Sequence, residues 1–401
     1  MTLKHFRLYF LFALAAALIL HIAAARTFAA QREPAPPPHG APARPPMPAH
    51  PMSMEGKTAE QYYKNIKVFK GVPASQIIPA MHFIAASLGV RCTFCHVMTG
   101  NPPRFDFAKD DKRTKRTARK MVLMMRSINN NNFHGRMVVT CATCHNGHPH
   151  PQAVPALATA SFGPPGPPPG RPAFQMMPMP PKVLGAYYQV IGGADVARKI
   201  TTRVLKGTMT MGLNRAAPVE IYEKAPDNFL AVVTFPNGRT MDRGTNGRVA
   251  WMSTPRGVMR AFGPEAEGMK QQADFYGNLD ILNLKQNYPR MRVRGTEKIG
   301  GREAYILEAH AATGGAFERL YFDKENGLLL RVVHFTPTPV GHLPDQTDFS
   351  DYREVNGIKV PFHVVISSTE GATTETFTHV TLNTPIEDSK FAMPHNPPGQ
   401  P

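Results

Sequence analysis

Two proline-rich stretches limit what this chain can fold into. Residues 31 to about 51 are proline and alanine with scattered charge (Pro34-Ala35-Pro36-Pro37-Pro38, Pro45-Pro46). Residues 148 to about 181 contain Gly163-Pro164-Pro165-Gly166-Pro167-Pro168-Pro169-Gly170 and Pro178-Met179-Pro180-Pro181. Proline fixes φ and has no N–H to donate, so such runs neither continue a helix nor join a sheet. They also carry too little apolar surface to offset the entropy of ordering. What remains is a leader, two segments each long enough for its own core, and a short tail. The expected division is a leader over 1–30, a linker over 31–54, a helical domain over 55–148, a second linker over 149–182, a β domain over 183–394 and a tail over 395–401.

The leader runs through Lys4, His5 and Arg7 into an apolar stretch from Leu8 to Ala25, then reaches small residues at Ala23-Ala24-Ala25 and Ala29-Ala30. Positive start, apolar middle and small residues are the pattern of an export signal. The apolar stretch is marginal for a bilayer span and contains His21, so it reads as a cleaved signal or as an inner-membrane anchor. Either way the rest of the chain is expected on the periplasmic side.

The segment over 55–148 has helical periodicity. Helices are expected from Thr58 to Phe69, from Ser75 to Leu88 with Gly89 as the stop, and from about Lys112 to Asn129 with a stripe of Ala118, Met121, Val122, Met125 and Ile128. From residue 183 the pattern changes. A short helix near Ala186 to Ile191 precedes strand-like runs at Val219 to Glu223, Phe229 to Phe235, Arg248 to Met252, Ala304 to Glu308, Arg319 to Asp323, Leu328 to His334 and Lys359 to Ser367. Four Asn-Gly pairs lie between or beside them (Asn237-Gly238, Asn246-Gly247, Asn326-Gly327, Asn356-Gly357), a strong local hairpin signal. The expected fold class is α+β and multidomain, a helical domain followed by an antiparallel β half-barrel.

All four cysteines of the chain lie in two Cys-x-x-Cys-His motifs, Cys92-Thr93-Phe94-Cys95-His96 and Cys141-Ala142-Thr143-Cys144-His145. Cysteine pairs at this spacing also occur in zinc ribbons and thiol redox sites, but a histidine directly after both pairs points to c-type haem attachment. Two thiols on one turn of chain reach the two vinyl groups of a porphyrin, and the adjoining imidazole meets the iron. On that reading Cys92, Cys95, Cys141 and Cys144 form thioethers, His96 and His145 are proximal ligands, and the cofactors are two haem c groups. A methionine sulfur is a common distal ligand and suits electron transfer. Met81 stands 11 residues before Cys92; Met121, Met124 and Met125 stand 20, 17 and 16 residues before Cys141, and spacing alone does not choose among them. Methionines on a helix also serve as core filler.

The run from Ile77 to His96, then Ala118-Arg119-Lys120-Met121, Arg126-Ser127-Ile128-Asn129 and Val139-Thr140 through Asn146-Gly147, resembles the cytochrome c subunit of photosynthetic reaction centres. That family carries four haems, each on a helix, a turn and a Cys-x-x-Cys-His unit. The resemblance covers two units, about half of that arrangement. It implies Met121 as one distal ligand and Met81, alone on its helix at a workable distance, as the other. It also places a family histidine near His134, offset by about one residue, which reads here as an exposed loop histidine, as do His148 and His150. More weakly, Ile221-Tyr222-Glu223-Lys224-Ala225-Pro226, Leu320-Tyr321-Phe322-Asp323 and Asp351-Tyr352-Arg353 resemble the outer-membrane lipoprotein-sorting family. This implies a curved antiparallel sheet around an apolar cavity and a lipophilic ligand.

A formal charge of +17 suits an acidic protein or an anionic membrane surface as partner. No nucleic-acid module accompanies it, so nucleic acid is not an expected partner. The run Lys109, Lys112, Arg113, Lys115, Arg116, Arg119 and Lys120 against Asp110 and Asp111 reads as a solvated helix face or as a steering patch for an acidic redox partner. The expected function is electron transfer by two His/Met haems. A peroxidase-type haem enzyme and a redox-linked periplasmic binding protein for a lipophile are the alternatives.

Overall fold

The computed structural model describes residues 54–151, 176–212, 215–254, 257–261, 266, 269, 288–311 and 317–394. The expected leader, nearly all of the first linker, most of the second and the tail lie outside the described residues.

The helical segment consists of α1 (Ala59–Tyr62), α2 (Ile77–Leu88), a small hairpin of β1 (Val97–Thr99) and β2 (Arg104–Asp106), α3 (Arg113–Phe133) and α4 (Cys141–His145). Two of the three expected helices appear close to their expected bounds. The first is only one turn. Its start is as the sequence implies, with Thr58 at the cap and the Gln61 side chain accepting from the Thr58 N–H at 2.9 Å. Tyr63 then turns extended, and Asn65 takes a left-handed φ of 62° while its side chain donates to the Asp110 carboxylate at 2.9 Å. Side-chain bonds to a distant loop therefore override local helical periodicity here.

Two further helices, α5 (Pro180–Val190) and α6 (Ala194–Arg198), lead into the sheet. The helix α5 begins well before the expected Ala186, because prolines at its first positions lack only N–H groups that a helix start leaves unpaired anyway. The strands are β3 (Thr202–Met211), β4 (Arg215–Lys224), β5 (Asn228–Thr234), β6 (Thr240–Asn246), β7 (Ala250–Thr254), β8 (Gly257–Arg260), β9 (Arg290–Ile299), β10 (Arg302–His310), β11 (Phe317–Asp323), β12 (Leu329–Thr338), β13 (Gly341–Val355), β14 (Ile358–Ser368) and β15 (Gly371–Leu382). They form one open 13-stranded antiparallel sheet in the order β8-β7-β6-β5-β4-β3-β15-β14-β13-β12-β11-β10-β9. Two meanders thus run outward, with the first and last strands paired at the centre. All four Asn-Gly pairs sit at hairpin turns, and at Asn356-Gly357 both residues have positive φ (50° and 81°), as that turn type demands.

Residues alternate across the sheet, as in β14, where Ile358, Val360, Phe362 and Val364 are buried. That face is covered by α5 through Val183, Leu184, Tyr187 and Ile191. A separate cluster ties the helical segment to the sheet: Ala59, Phe69, Ile77, Ala80, Phe83, Val122 and Met125 pack with Val340 and Leu343 of the β12–β13 hairpin. The helical segment and the sheet share this core.

Candidate haem centre

The first Cys-x-x-Cys-His motif sits on a tight helical turn over Cys92–Phe94, with the N–H groups of Cys95 and His96 both donating to the Cys92 carbonyl (3.2 and 2.9 Å). The second is the one-turn helix α4, started by Thr140, whose N–H donates to Thr143 Oγ1 at 3.0 Å. In both, the thiols stand three residues apart on one turn, with the histidine next to the second thiol, so all three groups share a side. Cys92 and Cys144 are exposed, and Cys95 and Cys141 half-buried. Burial pushes the Cys95 and Cys141 thiols up, opposite to the low-pKa thiolate of a dithiol redox pair. Among the described residues no three or more cysteine, histidine or acidic side chains converge on one point, so the two motifs do not build the four-cysteine zinc site considered above.

Each motif is seated against the helix of the other unit. At the start of α3, Lys112 Nζ donates to the Thr93 carbonyl and Thr114 Oγ1 to the Phe94 carbonyl at 2.5 Å, both inside the first motif. At the end of α2, Ser87 accepts the Gly147 N–H at 2.8 Å just beyond the second motif, and Cys141 packs against the cluster that also holds Met81. Gly89 closes α2 at φ 64°, and a Cβ there would lie 2.1 Å from the Gly147 carbonyl oxygen. Gly89→Ala therefore combines left-handed strain of about 1–2 kcal/mol with a backbone collision. Gly71, at φ 77° with open space, carries the strain alone. In denaturant unfolding, Gly89→Ala is expected to cost at least about 2 kcal/mol and Gly71→Ala about 1.

The basic run faces inward more than the sequence suggested. Lys115 is buried, with its ammonium on the carbonyls of Phe107 (2.8 Å), Ala108 (3.2 Å) and Lys109 (2.6 Å). Asp110 pairs with Lys67 and Arg119, both at 2.9 Å, and these bonds, Arg119 first, hold its carboxyl well below the usual range. Arg116 donates to the Asp110 carbonyl. Three of the seven cations, Lys115, Arg116 and Arg119, thus fasten the loop before α3, and Lys112 holds the first motif, rather than form a free steering patch. Asn129, which sequence reasoning gave no structural role, is buried. It donates to the carbonyls of Met125 (3.1 Å) and Val139 (2.7 Å) and accepts from the Val138 and Val139 N–H groups (both 2.9 Å), fixing the approach to Cys141. Its one legible signal was polarity on a helix face that is otherwise apolar.

The two histidines are set up differently. His145 donates Nδ1–H to the His148 carbonyl at 2.9 Å, which leaves Nε2 with its lone pair for a metal. His96 lies edge-on to Phe107 with ring centroids 5.0 Å apart, and its Nδ1 is buried with no hydrogen-bond partner. Burial, then the charges of Lys115, Arg119 and Lys112, lower its pKa and so favour the neutral ring, the form that ligates a metal. Of the methionines, Met81 is half-buried, Met125 is in the core, and Met121 and Met124 are exposed (36% and 47%). His134 is the exposed left-handed cap of α3, and His148 and His150 are exposed. Nine of the thirteen exposed large apolar side chains among the described residues lie between Ile78 and Val138, Met98, Phe105, Phe107, Met121 and Leu123 among them. Apolar surface concentrated in the segment that carries the two thiol pairs fits bulky apolar groups covering it.

Comparison with known proteins bears on the same stretch. Residues 37–164 match the model of the photosynthetic reaction centre cytochrome c subunit. Over these residues the chain is similar to that family. The chain is 33% identical over 93 residues to cytochrome c-554 of Chloroflexus aurantiacus, covering 21% of this chain and 21% of that protein. It is 32% identical over 101 residues to the photosynthetic reaction center cytochrome c subunit of Thermochromatium tepidum, covering 24% of each. The chain thus spans about a fifth to a quarter of the length of these relatives. In the C-terminal part, a LolA superfamily protein of Nitrosomonas europaea has a related structure, at 13% identity and a TM-score of 0.38, over 54% of this chain and 98% of that one.

Proposed function

We propose that this chain is an exported electron carrier with two haem c groups, bound through Cys92 and Cys95 and through Cys141 and Cys144. His96 and His145 are the proximal ligands, and Met81 and Met121 the distal ones. The observation that carries the reading is the reciprocal seating of the motifs, each held by the helix of the other unit, which ties both attachment points to the same pair of helices, α2 and α3. Haem supplies a one-electron couple there. The chain's own residues do the rest. His148 orients the His145 ring, Asn129 and Thr140 shape the approach to Cys141, the Lys112 and Thr114 bonds hold the first motif to α3, and the Lys115 bonds hold the loop before that helix. Methionine ligation is the variant that favours electron transfer over oxygen chemistry, which sets the peroxidase alternative second.

The partners are redox proteins on the outer side of the membrane, reached by a chain whose net charge of +17 favours acidic surfaces. Among the described residues no helix is long and apolar enough to cross a membrane; the leader is proposed as the export signal or anchor. A lipophile would find its room where α5 meets the sheet, in a cavity of about 520 Å³ lined by Val183, Ala186, Val190, Tyr305 and Phe322, rather than between the strands. The cavity between Leu205, Ile221, Phe229, Val364 and Phe377 measures about 30 Å³, space for a water or two. The test is a haem-stained gel with intact mass of the mature protein. A chain carrying two covalent haems and lacking the leader, or retaining it as an anchor, is expected; a mass without two haems overturns the reading.

A further inference from the structure

We infer that the sheet is part of the haem centre's frame: the β12–β13 hairpin positions Met81. This rests on Met81 being a distal ligand. Three successive residues of α2 carry the argument. Met81 packs half-buried on the cluster shared with the sheet. His82 Nε2 lies 3.2 Å from Glu370 Oε1, on the turn between β14 and β15. The Phe83 ring is buried edge-on over Gly341, where an added Cβ would sit 2.5 Å from Cζ and 2.8 Å from Cε2. Val340 and Leu343, at 0% and 7% exposure, close the contact on either side.

Gly341 is required twice over, by its φ of 148° and by the ring above it. The end of α2 is held separately by the Ser87–Gly147 bond. The helix is therefore fixed at its middle by the sheet and at its end by the second motif. A rigid helix transmits a shift at Phe83 to the residue two positions earlier, and packed cores resist such shifts rather than absorb them. A distal sulfur sets the potential through how closely it meets the iron. The two parts of the chain are thus coupled through α2, and a change in the hairpin is read as a change in potential.

The experiment uses the full-length dihaem protein and compares Gly341→Ala, Phe83→Leu, the double variant and Met81→Leu by redox titration and by the methionine-to-iron charge-transfer band. Gly341→Ala is expected to lower one potential by at least a tenfold shift in the reduced-to-oxidised ratio, about 59 mV for one electron, and to weaken the band, with both haems still attached. Phe83→Leu in that background removes the colliding ring edge and is expected to restore both signals, although the backbone strain at residue 341 persists. Phe83→Leu alone, which adds no collision, is expected to shift the same potential less; it serves if Gly341→Ala does not accumulate. Wild-type potentials in both single variants, with Met81→Leu still shifting one haem, overturn the positioning role. Wild-type signals in Met81→Leu overturn the ligand assignment instead.

Discussion

Alanine at Cys141 and Cys144 is expected to halve the haem carried per chain, and alanine at Cys92 and Cys95 to do the same independently. The reason is stoichiometric: the chain's four thiols are all in the two motifs, so neither pair has a substitute. Haem absorbance per chain and intact mass measure the loss together. The two variants are also expected to differ in stability. Cys141 packs on the cluster with Met81, and α4 abuts the end of α2, so losing the second group opens the core. Cys92 is exposed on a turn tied to α3 by side-chain bonds, and the first loss leaves that core in place. Unchanged haem content in either variant would remove that motif from the assignment.

The sequence was most legible where chemistry or backbone geometry is local. Cys-x-x-Cys-His spacing needs only one turn of chain, and Asn-Gly turns need only two residues, and all four of those turns are where the sequence places them. Helix α3 was readable from its stripe, yet the stripe could not rank its methionines. Burial separates them: Met125 fills the core, while Met121 and Met124 lie outside it. What stayed hidden depends on partners remote in the chain. Asn65 breaks the first helix because Asp110 holds its side chain, and Lys115 turns inward because three carbonyls collect around it. The contact of Phe83 with Gly341 joins two segments that the proline-rich linker made look independent. No composition or period reports a docking of that kind.

Within the sheet, the largest effect is expected from Arg203, and it should depend on pH. Arg203 Nε lies 2.5 Å from Glu223 Oε2, with the two side chains 8% and 2% exposed. Glu375 is buried beside them at the same small cavity, and its Oε1 has no hydrogen-bond partner. Burial pushes Glu223 up to about 7 against the pull of Arg203, and burial raises Glu375 as well. A folded value above the unfolded 4.5 means that the folded state holds its proton more tightly. That stability is present below about pH 4.5 and is lost as pH rises through about 7, on the order of 3 kcal/mol for Glu223. Glu308 works in the opposite sense: despite burial, Arg294, Arg292, His310 and Arg319 hold it down to about 2, so its share is lost only in acid, below this window. Unfolding midpoints should therefore fall from pH 5 to pH 8, and Glu223→Gln should flatten that slope. Arg203→Met leaves an uncompensated carboxylate in the core and is expected to cost about 3–5 kcal/mol at pH 8, but clearly less at pH 5, where Glu223 carries its own proton. Equal costs at the two pH values would show that Glu223 is ionised throughout and that Arg203, not burial, governs the pair.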